Sequence, residues 1–291
     1  MRRVCTLTFI LIMLLPVLGW AQQEGNQPIQ QQASSQQAQM YWGAKLYDDF
    51  NHRWLDPAKW AAVPDEAGPN YKEACYFSSN VLECVREIQD GRLRLEVACY
   101  GARDSDQGTQ YGESKLLLTP QSLKSLTADV TVRRTDVAAC LENPGPYFAA
   151  PQAMLTASFF HTDSGDVGID LTFQPISPDN LQTIVVRGFG FAPGGQYFGF
   201  VDLDSVPRGT PLRGTVRWDQ PNHKFVVAFQ NLITHQFFSA DVPYDPVALP
   251  DAVPAVAGWK GLYVQAFPSN CTKQQTWQQM EATFDNVSIT H

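Results

Sequence analysis

Hydrophobic and polar residues alternate along many short stretches of this chain. From Leu93 to Val97 every second residue is apolar, and charged residues stand between them. Similar short runs lie at 126–133, 224–229 and 261–267. Because successive side chains of a strand point to opposite faces of a sheet, this period of two predicts β-strands. No long stretch repeats with a period of 3.6, so helix is expected only in short turns, such as the one after Asp56-Pro57.

Turn-forming residues separate these runs. They fall at Asp90-Gly91, at Pro193-Gly194-Gly195 and at 219–222. Many short antiparallel strands joined by turns predict an all-β fold, a two-sheet antiparallel β-sandwich or jelly roll. Composition is uniform over residues 41–291, with no second linker and no internal repeat, so this region is predicted to be one domain.

The first 21 residues have a different composition from the rest. A basic start, Met1-Arg2-Arg3, precedes an apolar run at 4–18 and the small residues Gly19 and Ala21. These are the three parts of a secretory signal peptide, so residues 1–21 are predicted to direct export. The apolar run is short for a membrane span, and no other stretch approaches about 18 apolar residues, so no span is expected.

Residues 22–40 form the next segment, which is rich in glutamine. Nine of the eighteen residues from Gln22 to Gln39 are glutamine, and few are apolar. Such a segment cannot bury enough apolar surface to offset its chain entropy. It is predicted to be a disordered linker, with or without a role as a tether.

The net charge of the chain argues against two classes of binding partner. Without residues 1–21 the chain has 19 basic against 29 acidic residues, a net charge of −10. A negative protein repels nucleic-acid phosphates and anionic lipid head groups. Neither nucleic acid nor a membrane surface is therefore expected as a partner.

Five cysteines lie beyond residue 21, and an exported protein is expected to pair them in disulfides. An odd number leaves at least one thiol outside an internal disulfide. Cys75 and Cys84 are close in sequence around a predicted turn, which favours a local pair. For the second disulfide we favour Cys140–Cys271, because the strand pattern puts both in long loops at one end of the sandwich. Cys99 is then the odd thiol.

Three separated motifs resemble those of one superfamily. Asp48-Asp49-Phe50 followed by 55–60 is similar to the opening of concanavalin A-like lectin and glucanase domains. Gly91 to Leu95 resembles their early core strand, and Phe284 to Val287 their last strand. The order and spacing of the motifs cover nearly all of residues 41–291. The resemblance, which extends to laminin G-like domains and family-16 glycoside hydrolases, implies two large antiparallel sheets and a glycan bound on or beside one of them.

The segment Gly168-Ile-Asp-Leu-Thr-Phe173 resembles the catalytic strand of the family-16 hydrolases, which carries Glu, Asp and Glu on one face. Matching places Asp170 at the central Asp, Gly168 at the first Glu, and Thr172 or Phe173 at the second. A retaining hydrolysis needs two carboxyl groups roughly 5 Å apart. If this segment is the counterpart of the catalytic strand, it cannot perform retaining hydrolysis, because both Glu positions are without a carboxyl group. Otherwise Asp170 is a polar position in an ordinary strand whose alternate residues face the core.

Other residues are candidates for a site. Asp202 and Asp204 lie on one face of a predicted strand and could share a proton or bind a metal, although such pairs are usually a solvated face. Trp277 lies in a polar run that predicts a loop, and Tyr147 and Phe148 lie in a proline-rich run. Exposed aromatic rings stack on sugar faces, so these three are predicted ligand platforms.

The resemblance also implies a structural Ca²⁺. Glucanases of this family hold the ion on the side away from the glycan, between the last strand and an early glycine turn. The matching positions are Asp285 and Gly91, with Asp49 or a neighbour supplying a backbone carbonyl. Ca²⁺ accepts such mixed oxygen ligands. The competing interpretation is that Asp285 only caps a strand end or pairs with a base.

The sequence therefore favours a secreted, non-catalytic, lectin-like domain that binds a polysaccharide or other glycan or has a surface role. One alternative is a glycoside hydrolase that acts on a polysaccharide through carboxylates such as Asp202 and Asp204. Another is a structural or adhesion module without sugar specificity.

Overall fold

The computed structural model describes residues 44–61, 75–77, 81–142 and 150–291. The first half of this part of the chain forms β1 (Lys45–Asp48), β2 (Trp60–Ala61), β3 (Cys75–Phe77), β4 (Val81–Gln89), β5 (Arg92–Tyr100), β6 (Gly112–Leu118), β7 (Ser125–Ala138) and β8 (Gln152–Thr162). The second half forms β9 (Gly165–Ser177), β10 (Asn180–Ala192), β11 (Gln196–Pro207), β12 (Leu212–Asp219), β13 (Lys224–Asn231), β14 (Phe237–Pro243), β15 (Val253–Pro254), β16 (Lys260–Ala266) and β17 (Trp277–Thr290).

These strands form two antiparallel sheets. The first sheet has the order β14-β13-β12-β7-β17-β5-β4, with β1 beside β17. The second has the order β11-β10-β9-β8-β16-β6-β2, with β15 beside β8 and β3 beside β6. The predicted two-sheet antiparallel β-sandwich is confirmed by this topology.

The core lies between the two sheets and follows the alternation read from the sequence. On β5, Leu93, Leu95 and Val97 are fully buried in it. On β9, Ile169 and Leu171 pack into the same core from the second sheet. Because neighbours on a strand point to opposite faces, Asp170 is left on the outer face of the second sheet.

Two local expectations differ from the structure. Residues 57–59 form a turn and not a helix, and the described residues contain only a 3-10 turn at Gln220–Asn222. The loop predicted at Trp277 is wrong, since this residue begins β17 and pairs with Tyr100 and Ala138. Pairing with a strand on each side satisfies the backbone there, so a polar composition does not prevent strand formation.

The cysteine predictions can be followed in part. Cys140 and Cys271 form a disulfide with a Cα–Cα distance of 5.6 Å, as predicted. Cys99 is a buried free thiol, and burial raises its pKa to about 12. Cys84 is disulfide-bonded. The side chain of Cys75 lies outside the described residues, so its pairing stays a prediction.

The part of the chain that the structure describes holds no helix with the length and hydropathy of a membrane span. Residues 1–43, which include the predicted signal peptide and linker, lie outside the described part of the chain.

Candidate ligand-binding groove

A cavity of about 480 Å³ opens on the outer face of the second sheet. Its lining crosses six neighbouring strands, from β6 through β16, β8, β9 and β10 to β11. At about 4.8 Å between strands, this is a span on the order of 24 Å. We call this cavity the groove. Its volume lies within the range of sites that bind small molecules.

Aromatic side chains line much of the groove. They are Tyr111, Phe191, Tyr197, Trp259 and Tyr263. Tyr197 is 58 % exposed, and its ring meets the edge of Phe189 at a centroid distance of 5.3 Å. Flat rings of this kind offer apolar faces, and the tyrosine hydroxyls add polar edges.

At one end of the groove a buried hydrogen-bond network is centred on Glu113. The carboxylate accepts hydrogen bonds from Lys115 Nζ and from the Tyr111 hydroxyl. The Gln265 amide donates to the Tyr111 oxygen at 2.9 Å and accepts from the Gln152 amide at 2.8 Å. Lys115 Nζ also lies 5.1 Å from the centroid of the Trp259 ring. Since Glu113 and Lys115 are both almost fully buried, each neutralises the other and the network is a rigid support for the groove.

At the middle of the groove two buried polar side chains lack hydrogen-bond partners of this kind. Asp170 and Thr156 stand directly opposite each other on β9 and β8 and are 6 % and 5 % exposed. Oδ1 of Asp170 and Oγ1 of Thr156 are buried without a hydrogen-bond partner among the described residues. Buried polar atoms normally have a partner, so such a pair in a cavity wall indicates a place for a ligand or water.

Burial raises the pKa of Asp170 to about 7, because the apolar surroundings disfavour the charged carboxylate. A hydrogen bond from the Thr156 hydroxyl would act in the opposite direction, but Thr156 Oγ1 makes no hydrogen bond to the described residues in this structure. Other ionisable side chains around the groove already have partners: His161 Nδ1 lies 2.5 Å from Asp166 Oδ1, and Arg187 Nε lies 2.5 Å from Asp202 Oδ1. Asp170 is therefore the carboxyl group of the groove whose charge is least compensated.

The structure also bears on the resemblance to a catalytic strand. Ile169, Leu171 and Phe173 face the core, as expected for an ordinary strand. A Cβ atom at Gly168 would lie 2.2 Å from the Ala157 carbonyl oxygen and 2.5 Å from the Phe191 ring. The position matched to the first Glu therefore has no space for any side chain in this fold.

Asp202 and Asp204 differ in their surroundings. Asp202 accepts two hydrogen bonds from the Arg187 guanidinium, from Nε at 2.5 Å and Nη2 at 3.0 Å. Asp204 accepts one from the backbone N–H of Ser205 at 2.8 Å. Neither residue lines the groove. The bidentate contact ties Asp202 to an arginine, so the two carboxylates do not form a proton-sharing pair.

The predicted platforms are not part of the groove. Trp277 is half-buried on β17 of the first sheet and does not line it. Tyr147 and Phe148 lie outside the described residues. Sequence reasoning missed Glu113, Trp259 and Tyr263. Alternation in 261–267 would have put Tyr263 and Gln265 on one face, but it does not reveal that this face lines a cavity.

The residues predicted to hold Ca²⁺ lie close together at the first sheet. Burial raises the pKa of Asp285, and the carboxylates of Asp129 and Asp49 act in the same direction, so both lie within electrostatic range of Asp285. Gly91 has φ of +69°, and a Cβ there would lie 3.1 Å from Asn51 Oδ1. Asp285 also accepts a hydrogen bond from the Asn286 N–H, and its Oδ2 lies 3.8 Å from Arg92 Nε.

Comparison with known proteins gives a fold likeness and no family. No protein-family model matches the chain, and no curated protein matches it. One similar solved structure is the CBM2 module of the evolved Dit of Lactobacillus casei BL23 phage J-1, with 11% identity, coverage of 85% of this chain and 98% of that one, and a TM-score of 0.38. The VIP36 exoplasmic/lumenal domain in its Ca²⁺/Man3GlcNAc-bound form has 10% identity, coverage of 85% and 92%, and a TM-score of 0.39. Peanut lectin has 13% identity, coverage of 79% and 95%, and a TM-score of 0.33. At these TM-scores the likenesses carry no argument about this chain.

Proposed function

We propose that this chain binds a neutral glycan in the groove on the outer face of the second sheet. The observation that carries the proposal is the combination of aromatic side chains with the unpartnered polar atoms of Asp170 and Thr156 in one cavity. Sugar rings present an apolar face to an aromatic side chain and hydroxyl groups to polar atoms. A groove that crosses six strands suits a chain of several sugar rings better than a single one.

Binding without cleavage fits the carboxyl groups best. Glu113 is held by Lys115, and Asp166 is paired with His161. Neither is free to act as a nucleophile, and position 168 has no side chain. One observation favours a glycoside hydrolase instead, since a carboxyl group with a pKa near 7, such as that of Asp170, suits a general acid. The third possibility is a structural or adhesion module that binds no sugar.

The proposal places the domain of residues 41–291 outside the cytoplasm. Residues 1–21 would direct export and residues 22–40 would link the domain to its surroundings. The Cys140–Cys271 disulfide supports this location, because disulfides persist in oxidising compartments.

The test is a glycan array of neutral and charged oligosaccharides, combined with an assay for released reducing ends. Binding without release supports the proposal, release supports the hydrolase, and neither supports the structural module. The variant Trp259→Ala is expected to lose at least about tenfold in affinity, or about 1.4 kcal/mol. Trp54→Ala is the matched control, because Trp54 is 72 % exposed and does not line the groove.

We further propose a structural Ca²⁺ held by Asp285, a backbone carbonyl at Gly91 and a carbonyl at or near Asp49. The proposal is supported by oxygen atoms around the early turn: the Asn51 amide oxygen lies beside Gly91, and the Asp49 carboxylate acts electrostatically on Asp285. Ca²⁺ prefers oxygen donors of this kind. Thermal melts with and without chelator test this site. A melting temperature that chelator does not change, and that is equally unchanged by chelator in Asp285→Ala, would rule it out.

A further inference from the structure

We propose that Asp170 and Thr156 form a hydrogen-bonding subsite for the hydroxyl groups of a neutral sugar, in which Asp170 acts as a protonated carboxylic acid, so that binding takes up a proton. This inference rests on the proposed function of the groove and goes beyond it. It names the residues that make the polar contact and the condition under which they make it.

The first step of the argument is geometric. Asp170 and Thr156 are register partners on adjacent strands, and both side chains point to the groove. Each has a buried oxygen without a partner among the described residues. Other polar groups in the groove, such as Glu113 and Gln265, already bond to one another. A ligand hydroxyl therefore contributes most binding free energy at the Asp170–Thr156 pair, because it gives these buried oxygens the hydrogen bonds that they lack.

The second step concerns the surroundings of Asp170 on every neighbouring element. β8 presents Thr156, and β10 presents Phe189 directly opposite Asp170. From β11 the partly exposed Tyr197 lines the same cavity, and its own pKa is raised by desolvation of the hydroxyl and by Asp170. β16 contributes Tyr263 to the same cavity. None of these groups is a cation.

The charged residues nearest the groove are committed elsewhere. Lys115 is paired with Glu113, and Arg187 with Asp202. His161 is paired with Asp166 at the turn between β8 and β9. Lys260 Nζ donates to the carbonyls of Val256 and Ala257, and burial lowers its pKa to about 8. No cation in this part of the structure is therefore placed to hold Asp170 in its ionised form.

The third step is the effect of a ligand. A sugar that covers the groove removes the remaining water from Asp170, which makes the charged form still less favourable. A carboxylic acid both donates and accepts, as a sugar hydroxyl does, so the protonated form can pair with it fully. By linkage, ligand and proton then bind together, and each raises the affinity for the other.

The size of the effect follows from the pKa of about 7. If only the protonated form binds, the apparent affinity is reduced by the protonated fraction, so it falls about tenfold from pH 6 to pH 8. Asp170→Asn keeps the shape of the protonated acid and cannot ionise. It should bind at pH 8 about as well as the wild type binds at pH 6, with no dependence on pH.

The experiment is calorimetric titration of the full chain at pH 6 and pH 8 with hexasaccharides of β-1,3-glucan, β-1,4-glucan, β-1,4-mannan and β-1,4-xylan. Asp170→Asn and Asp170→Ala are compared with the wild type, and Asp204→Asn is the control, because Asp204 lies outside the groove. We expect tenfold weaker binding at pH 8 for the wild type and the control, no change for Asp170→Asn, and weak binding at both pH values for Asp170→Ala. Proton uptake on binding is read from titrations in buffers of different ionisation enthalpy.

The outcomes separate the two claims. If a hexasaccharide binds the wild type with the same affinity at both pH values, this inference is overturned and the proposed function stands. Tighter binding at pH 8, lost in Asp170→Asn, would also overturn it, because the ionised carboxylate would then be the form that accepts hydrogen bonds from the sugar hydroxyls. If none of the four binds at any pH, the proposed function fails for these neutral glycans, and the inference fails with it.

Discussion

One end of the groove and its middle use the same kinds of side chain in opposite ways. Around Glu113, buried charged and polar groups satisfy one another through Lys115, Tyr111 and Gln265. At Asp170 and at Thr156 on the neighbouring strand, a buried oxygen atom has no hydrogen-bond partner among the described residues. The polar groups of the first region bond to one another within the protein, whereas those of the second remain free to bond to a ligand. A buried polar residue in a cavity is thus informative about binding only when its partners are counted.

The largest expected effect comes from breaking the satisfied end. Lys115→Met leaves the Glu113 carboxylate buried without its cation, which is expected to cost about 3–5 kcal/mol of unfolding free energy. The double variant Glu113→Leu/Lys115→Met should recover part of this loss, because no charge is then left uncompensated. Urea unfolding measures both variants. A loss below about 1 kcal/mol for Lys115→Met would mean that the Glu113 network is not a support.

Asp170→Asn is expected to act in the opposite direction. The folded protein holds the pKa of Asp170 near 7, above the ordinary value of 3.8, so its contribution is full below the unfolded pKa and is lost as pH rises through the folded pKa. At pH 8.5 the variant should be more stable than the wild type by roughly 2–4 kcal/mol, and at pH 4 the two should be nearly equal. Urea unfolding at both pH values decides this. A stability difference that does not change with pH would contradict the account of Asp170.

Gly168→Ala tests how tightly the middle of the groove is built. The added methyl group would meet the Ala157 carbonyl oxygen at 2.2 Å, and an overpacked site of this kind costs about 1–3 kcal/mol. Gly112→Ala is the comparison, because its methyl group would meet side-chain atoms at 3.1 Å or more, where small shifts relieve the contact. Thermal unfolding should show the larger loss at Gly168, and the reverse order would be inconsistent with the described packing.

The smallest expected effect compares two buried hydroxyl groups. Thr156→Val removes a hydroxyl without a partner, so stability should stay the same or rise by up to about 1 kcal/mol. Ser114→Ala removes a hydroxyl that donates to the Val85 carbonyl oxygen at 2.7 Å, and should lose about 1 kcal/mol. Denaturant midpoints of both variants measure the difference. Equal losses would show that Thr156 has a partner in solution.

Much of the fold could be predicted from the sequence, because it depends on local alternation. Leu93, Leu95 and Val97 alternate with charged residues and pack into the core as expected. The Asp90-Gly91 turn joins β4 to β5, and Cys140 pairs with Cys271. At Trp277, by contrast, strand formation depends on pairing with β5 and β7, which a polar sequence does not reveal.

Of the residues that line the groove, only Asp170 was a site candidate in the sequence. Asp170 was singled out from a motif, and it does line the groove, although its neighbours differ from those that the motif implies. Glu113, Trp259 and Tyr263 come from β6 and β16 and the turn before β16, far apart in sequence. The order of strands in the second sheet brings these residues together. Alternation in a single sequence predicts which residues share a face of a strand, but it does not predict which strands are neighbours.

The most direct test of the account is a crystal structure of the wild type at pH 5.5 with the oligosaccharide selected on the array. The account predicts a sugar ring against the aromatic wall of the groove and a sugar hydroxyl within about 3 Å of Asp170 Oδ1. The Glu113 network should be unchanged by the ligand. A glycan bound on the first sheet, at Trp277, or in the groove without contact to Asp170 or Thr156 would contradict it.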